Sequence, residues 1–183
     1  MTQRFVARSF DPMAFARAAG HADGQERLAD FARLAGDLAQ VPELESAVSW
    51  TVDGELRLDA IGVDQAWLHL KVGASLPLIC QRCLGPVLVP VRIERLYRFV
   101  ADESVAEAQD DACEEDLLAL QRDFNLHALI EDELLMELPL VPRHCVCPVP
   151  VKLAVADPGF EQTGVEKPNA FAALAGLHTG KRG

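Results

Sequence analysis

Much is missing from this 183-residue chain, and each absence excludes something. No run of about 18 apolar residues occurs, so no membrane-crossing helix is expected. The opening Met1-Thr2-Gln3-Arg4-Phe5-Val6 lacks the apolar stretch of a secretory leader, and a cytoplasmic location is the expectation. No glycine-rich phosphate loop and no helical HExxH pair is present, which removes the usual nucleotide and zinc-hydrolase signatures. Cysteine is scarce and odd in number, five in all, and that argues against a secreted disulfide framework. Positive charge is short too, with 17 Lys+Arg against 28 Asp+Glu. Tight binding to bare RNA normally needs a basic surplus, so the whole-chain charge argues mildly against it. No small-molecule site is evident.

What is present is apolar enough to fold. Half the residues are hydrophobic, which supplies a core for one domain, expected over residues 1–150. The net charge of −11 is concentrated. Residues 102–116 hold Asp102, Glu103, Glu107, Asp110, Asp111, Glu114, Glu115 and Asp116 with no base, and the remainder is nearly balanced. Such a run reads as a solvated, mobile loop over about residues 101–116. A second reading is a mimic of nucleic-acid charge that engages a basic partner, such as a ribosomal protein.

Hydrophobic periodicity predicts an α+β fold. Asp11-Pro12 marks a helix start, with Asp11 as N-cap, ending near Gly20. Leu28, Phe31, Leu34 and Leu38 fall at helical spacing and predict an amphipathic helix over 25–40. The period then becomes two. Val48, Trp50 and Val52 alternate, as do Leu56, Leu58 and Ala60, and Asp53-Gly54 between them predicts a hairpin turn. Strands are also expected from Ala66 to Leu78 and from Val87 to Arg98, with Pro77 and Pro90 demanding an edge or a bulge. The result is an antiparallel meander or a partly closed barrel. Asp116–Leu120 offers one more strand. Asn125 caps a helix bearing Leu126, Leu129, Ile130, Leu134 and Leu138 on one face, with Glu131, Asp132 and Glu133 read as a solvated outer face. Residues 151–183, rich in Pro, Gly and Ala, read as an extended or disordered tail.

Chemistry concentrates in the thiols. Cys80 and Cys83 flank a strand-to-turn junction, and His144, Cys145 and Cys147 follow far downstream. Zinc prefers four soft or borderline ligands in a tetrahedron, and a second cluster is what a closed site requires. The candidate ligands are Cys80, Cys83, Cys145 and Cys147, with His144 in place of one, since His144 and Cys147 have the more comfortable spacing. Reduced thiols without metal are the plain alternative. A thiol- or zinc-dependent redox protein or hydrolase using Cys80 and Cys83 is a further one. Neither His69 nor His127 falls in a catalytic pattern, and His127 reads as an ordinary first-turn residue. Arg82, Arg92, Arg95 and Arg98 form the basic concentration and a candidate RNA or partner surface, though alternation makes only part of the set co-facial.

In their order, these pieces make the chain identifiable. Cys80-Gln81-Arg82-Cys83, an acidic linker, Asp123-Phe124-Asn125-Leu126, Ile130-Glu131-Asp132-Glu133, Leu138-Pro139-Leu140-Val141-Pro142, His144-Cys145 and Lys167-Pro168-Asn169-Ala170-Phe171 together resemble the bacterial YceD family. These are the large ribosomal RNA subunit accumulation proteins. The resemblance implies a non-catalytic role in the synthesis, processing or stability of 23S ribosomal RNA. It implies large-subunit ribosomal proteins, a pre-ribosomal particle or 23S RNA as partners, with no catalytic residue to carry over. Lys167, Pro168, Asn169 and Phe171 are then candidate partner contacts.

Overall fold

Alternating side chains build a five-stranded sheet, seen in a computed structural model that describes residues 5–41, 47–59, 61–152 and 155–156. The chain divides into two units, Met1–Pro148 and Val149–Gly183, and the account below concerns the first. Lys167, Pro168, Asn169 and Phe171, and most of the tail expected over 151–183, lie outside the described residues.

The strands are β1 (His21–Arg27), β2 (Ala47–Leu58), β3 (Asp64–Ile79), β4 (Pro86–Val100) and β5 (Asp116–Ala119), hydrogen-bonded in chain order. Four of them form the expected antiparallel meander, and β5 joins β4 in parallel. The sheet is mixed and is not closed into a barrel. Val48, Trp50, Val52, Leu68, Leu70, Val72, Val91, Ile93, Tyr97 and Phe99 point to one buried face. The alternate positions are the outer face. Pairing between β2 and β3 stops at Ser49↔Gly73, and β5 reaches only Tyr97–Val100 of β4. Beyond those points β3 and β4 continue as a two-stranded arm. Pro77 and Pro90 both sit in that arm, where each has a strand on only one side and the missing N–H costs no ladder bond.

Two sequence expectations fail here for identifiable reasons. Asp53-Gly54 does not turn; β2 runs straight through it. Gly54 is small because helix α1 (Pro12–Arg17) packs on it. A Cβ there would lie 2.5 Å from the Phe15 ring and 3.2 Å from Ala16 Cα. The turn comes later, where Asp59 Oδ1 accepts from the amides of Ile61 and Val63, and Gly62 takes φ +82°. The helix expected over 25–40 is instead the end of β1, one 3₁₀ turn at Leu28–Asp30, and the short helix α2 (Ala32–Ala35). Pairing of β1 with β2 overrides the helical spacing. Leu28, Phe31 and Leu34 are still buried, so the spacing reported burial but not helix continuity.

The acidic stretch is not a plain loop. It contains helix α3 (Glu103–Gln109) and a 3₁₀ turn at Asp110–Ala112. Asp102 caps α3 by accepting from the Val105 amide, and Ala106 is its buried anchor. Arg98 of β4 holds the far side, donating to Glu115 at 2.6 Å and Gln109 at 3.1 Å. Helix α4 (Leu126–Met136) starts at Asn125 as expected, with Asn125 Oδ1 accepting from Ala128 N. Leu126, Ile130 and Leu134 are fully buried in the core.

Helix α4 is covered on its second side as well, so two of its three central acids are buried, while Asp132 stays exposed as expected. Glu131 and Glu133 are 7 % and 8 % exposed. Glu131 accepts from the amides of Arg33 and Leu34 and from the Arg33 guanidinium, and so caps α2 from a distance. Asp132 takes the other end of Arg33, and Glu133 pairs with Arg95 of β4. His127 is equally far from ordinary. It is buried, stacks on Phe31 with ring centres 4.4 Å apart, and lies 3.1 Å from the Glu26 carboxylate.

Candidate metal centre

The turn joining β3 to β4 presents the first half of the site. Cys80 ends β3 with its amide donating to Gly85 O, and Leu84 N returns to Cys80 O. This tight loop needs a left-handed residue, and Leu84 fills that role with φ +57°. Cys80 and Cys83 are thereby turned to one side. The second half is the segment after α4, sewn onto the turn by backbone contacts. Gln81 N donates to Pro142 O at 2.9 Å. The Arg82 guanidinium donates to the carbonyls of His144 and Cys145.

Four side chains converge there. The ligand atoms of Cys80, Cys83, His144 and Cys147 all lie within 4.8 Å of one another. Cys80 Sγ is 4.0 Å from Cys147 Sγ, and Cys83 Sγ is 3.4 Å from His144 Nδ1. With zinc–sulfur bonds of about 2.3 Å, a tetrahedron has edges of about 3.8 Å. The cluster has the size of a zinc coordination sphere. Cys145 is not part of it; its side chain is exposed. His144 and Cys147, three apart, bend back onto the same point.

The local field is uneven. Burial opposes ionisation of Cys80, but amides around the turn, those of Cys83, His144 and Arg82, and the His144 side chain outweigh it and pull the thiol down to about 5. Burial and the neighbouring thiols of Cys83 and Cys80 push Cys147 up. A thiolate at Cys80 surrounded by N–H donors is a ready soft ligand. Cys113, the fifth cysteine, stands apart and donates to the carbonyls of Gln109 and Glu115.

The arginines spread along one strand. Arg95 is engaged by Glu133, and Arg98 is held by Glu115 and lies over Trp67, as does Arg57. Arg82 donates to the backbone carbonyls beside the cysteine–histidine cluster. Arg92 is exposed on the outer face and, among the described residues, has no carboxylate partner.

The sequence profile described as large ribosomal RNA subunit accumulation protein YceD matches residues 68–178. The chain belongs to the YceD family. A relative from Haemophilus influenzae, named large ribosomal RNA subunit accumulation protein YceD, is 34 % identical over 137 residues. The match covers 73 % of this chain and 78 % of the relative. No solved structure matches the chain. The YceD match runs from the first third of β3 across both halves of the cysteine–histidine cluster, so the cluster lies within the shared region. Sequence reasoning missed Glu131 and Glu133 as internal struts. Their signal was the apolar content of α4, too great for a helix with one free side.

Proposed function

We propose that this protein is a non-catalytic factor that supports accumulation of the large-subunit ribosomal RNA, 23S in bacteria, in the cytoplasm. Membership of the YceD family, whose relative carries that printed name, is the observation that carries the reading. The expected partners are large-subunit ribosomal proteins, a pre-ribosomal particle or 23S RNA. The contacts would come from the arginine-bearing strand and from Lys167, Pro168, Asn169 and Phe171. The exposed carboxylates of α3 and the turn after it would receive basic protein tails. Deleting the gene should lower the ratio of 23S to 16S RNA, and supplying this chain should restore it. An unchanged ratio would overturn the proposal.

Zinc is the ion the cluster fits. Three thiols and one imidazole fill all four tetrahedral positions, which suits a structural ion rather than one with an open site. It would clip the β3–β4 turn to the segment after α4. Elemental analysis of purified, reduced protein should give one zinc per chain. Cys80→Ser should lose it, while Cys145→Ser should keep it. Retention of zinc in Cys80→Ser would overturn the assignment.

A further inference from the structure

We propose that the metal-bearing end of the β3–β4 arm, with the outer-face stripe leading away from it, binds single-stranded RNA through its phosphates. The inference rests on the reading above and adds a surface to it. Its warrant is charge segregation. The chain as a whole is at −11, yet residues 79–93 contain Arg82 and Arg92 and no acid, and residues 138–148 contain Arg143 and no acid. These two segments are the ones that meet at the cysteine–histidine cluster. The acids gather elsewhere. Helix α3 follows Val100, at the opposite end of a 15-residue strand from the cysteine turn, about 50 Å of extended chain away. A polyanion is steered to one end and repelled from the other.

The arginines at this end keep their charge available. Arg82 bonds only to neutral carbonyls, and Arg143 and Arg92 are exposed. Arg95 and Arg98 are already neutralised by Glu133 and Glu115 and are excluded from the surface. Arg92 borders an open groove of about 470 Å³ lined by Ser49, Thr51, Lys71, Gly73 and Glu94, where the bare Gly73 keeps the floor clear. From Pro86 to Arg92 the stripe spans about 20 Å of strand, enough for a few nucleotides.

Aliphatic side chains flank the arginines. Leu84 is 73 % exposed and Val146 85 % exposed, and Leu84 is displayed from a left-handed backbone that is unfavourable for a leucine. Neither segment contains an aromatic residue, so base stacking is slight and phosphate contacts dominate. Binding is therefore weak and strongly salt-dependent. Three phosphates at about −0.7 each give a log–log salt slope near −2, or about a 20-fold loss from 50 to 200 mM salt.

The test is fluorescence anisotropy of a labelled single-stranded RNA of about 12 nucleotides and mixed sequence, titrated with the full, zinc-loaded chain. The expected result is that slope. Arg92→Ala and Arg143→Ala should each flatten it by about 0.7 while keeping zinc and melting temperature. Asp110→Asn with Asp111→Asn should leave it unchanged. Absent or salt-insensitive binding, or binding untouched by both arginine variants, overturns the inference. So does a result in which these variants fail to restore the RNA ratio although the wild-type chain does not bind RNA; the end would then serve a protein. If the wild-type chain binds the probe as described but cannot restore the ratio, the proposed function falls and this inference stands.

Discussion

Glu131 ties α2 to α4 with one carboxylate. It accepts from two amides and a guanidinium while almost fully buried. Charge-assisted bonds of this kind are each worth about 1.5–3 kcal/mol, and a buried unsatisfied donor costs a similar amount. Glu131→Ala should destabilise the protein by about 3 kcal/mol in urea denaturation, with α2 released. The pH response has a definite sign. Burial works against the ionised form, but the amides of Arg33 and Leu34 and the Arg33 guanidinium prevail and hold the folded carboxyl below its ordinary value. Its contribution is complete above the unfolded carboxylate range, about pH 4.3, and disappears as pH falls through the folded value. In Glu131→Gln the acid limb of stability against pH should be shallower than in the wild type. An identical limb would show that Glu131 is not among the groups titrating there. Gly54 makes a second prediction at this scale. Gly54→Ala should cost about 1–3 kcal/mol, because the new methyl meets Phe15 and Ala16, and thermal melting would register it.

Among the elements, the caps were readable in advance and the continuity of segments was not. Asp11, Asn125 and the long alternations of β3 and β4 are local signals, carried by residues within a few positions of one another. The breaking of 25–40 into strand, turn and short helix depends on β2, far along the chain, and no local period contains it. The acidic run misled for a related reason. Its composition predicts solvation, while its helix is fixed by one cap and by Arg98 reaching from the neighbouring strand. Asp102→Ala should remove about 1 kcal/mol from α3. Faster amide exchange confined to residues 103–109 is the expected observation, with β4 unaffected. Equal acceleration along β4 would mean that α3 is not a separate unit.

For the molecule as a whole, the cysteine–histidine cluster joins two segments that backbone hydrogen bonding alone holds weakly. The Cys80–Cys83 half was legible because its spacing is a known bite. The second half was half-legible: three candidates lay within four residues, and only the bend of the chain selects His144 and Cys147 over Cys145. With zinc held there as proposed, a chelator should lower the melting temperature and expose residues 138–148 to hydrogen exchange. Strands β1 and β2 should stay protected, since their core contacts lie around α1 and α4 rather than at the turn. Uniform loss of protection would instead make the ion a condition of folding throughout.

The order in which the ligands leave the ribosome adds a clock to this site. Cys83 and His144 are 61 residues apart. At about 5–20 residues per second, a nascent chain carries its first two thiols for about 3–12 s before the partners are made. Over that interval β4, α3, β5 and α4 are all synthesised. The four-ligand site is thus completed only after the sheet and α4, and an ion held by all four of its residues would mark a chain whose sheet has already been laid down in full.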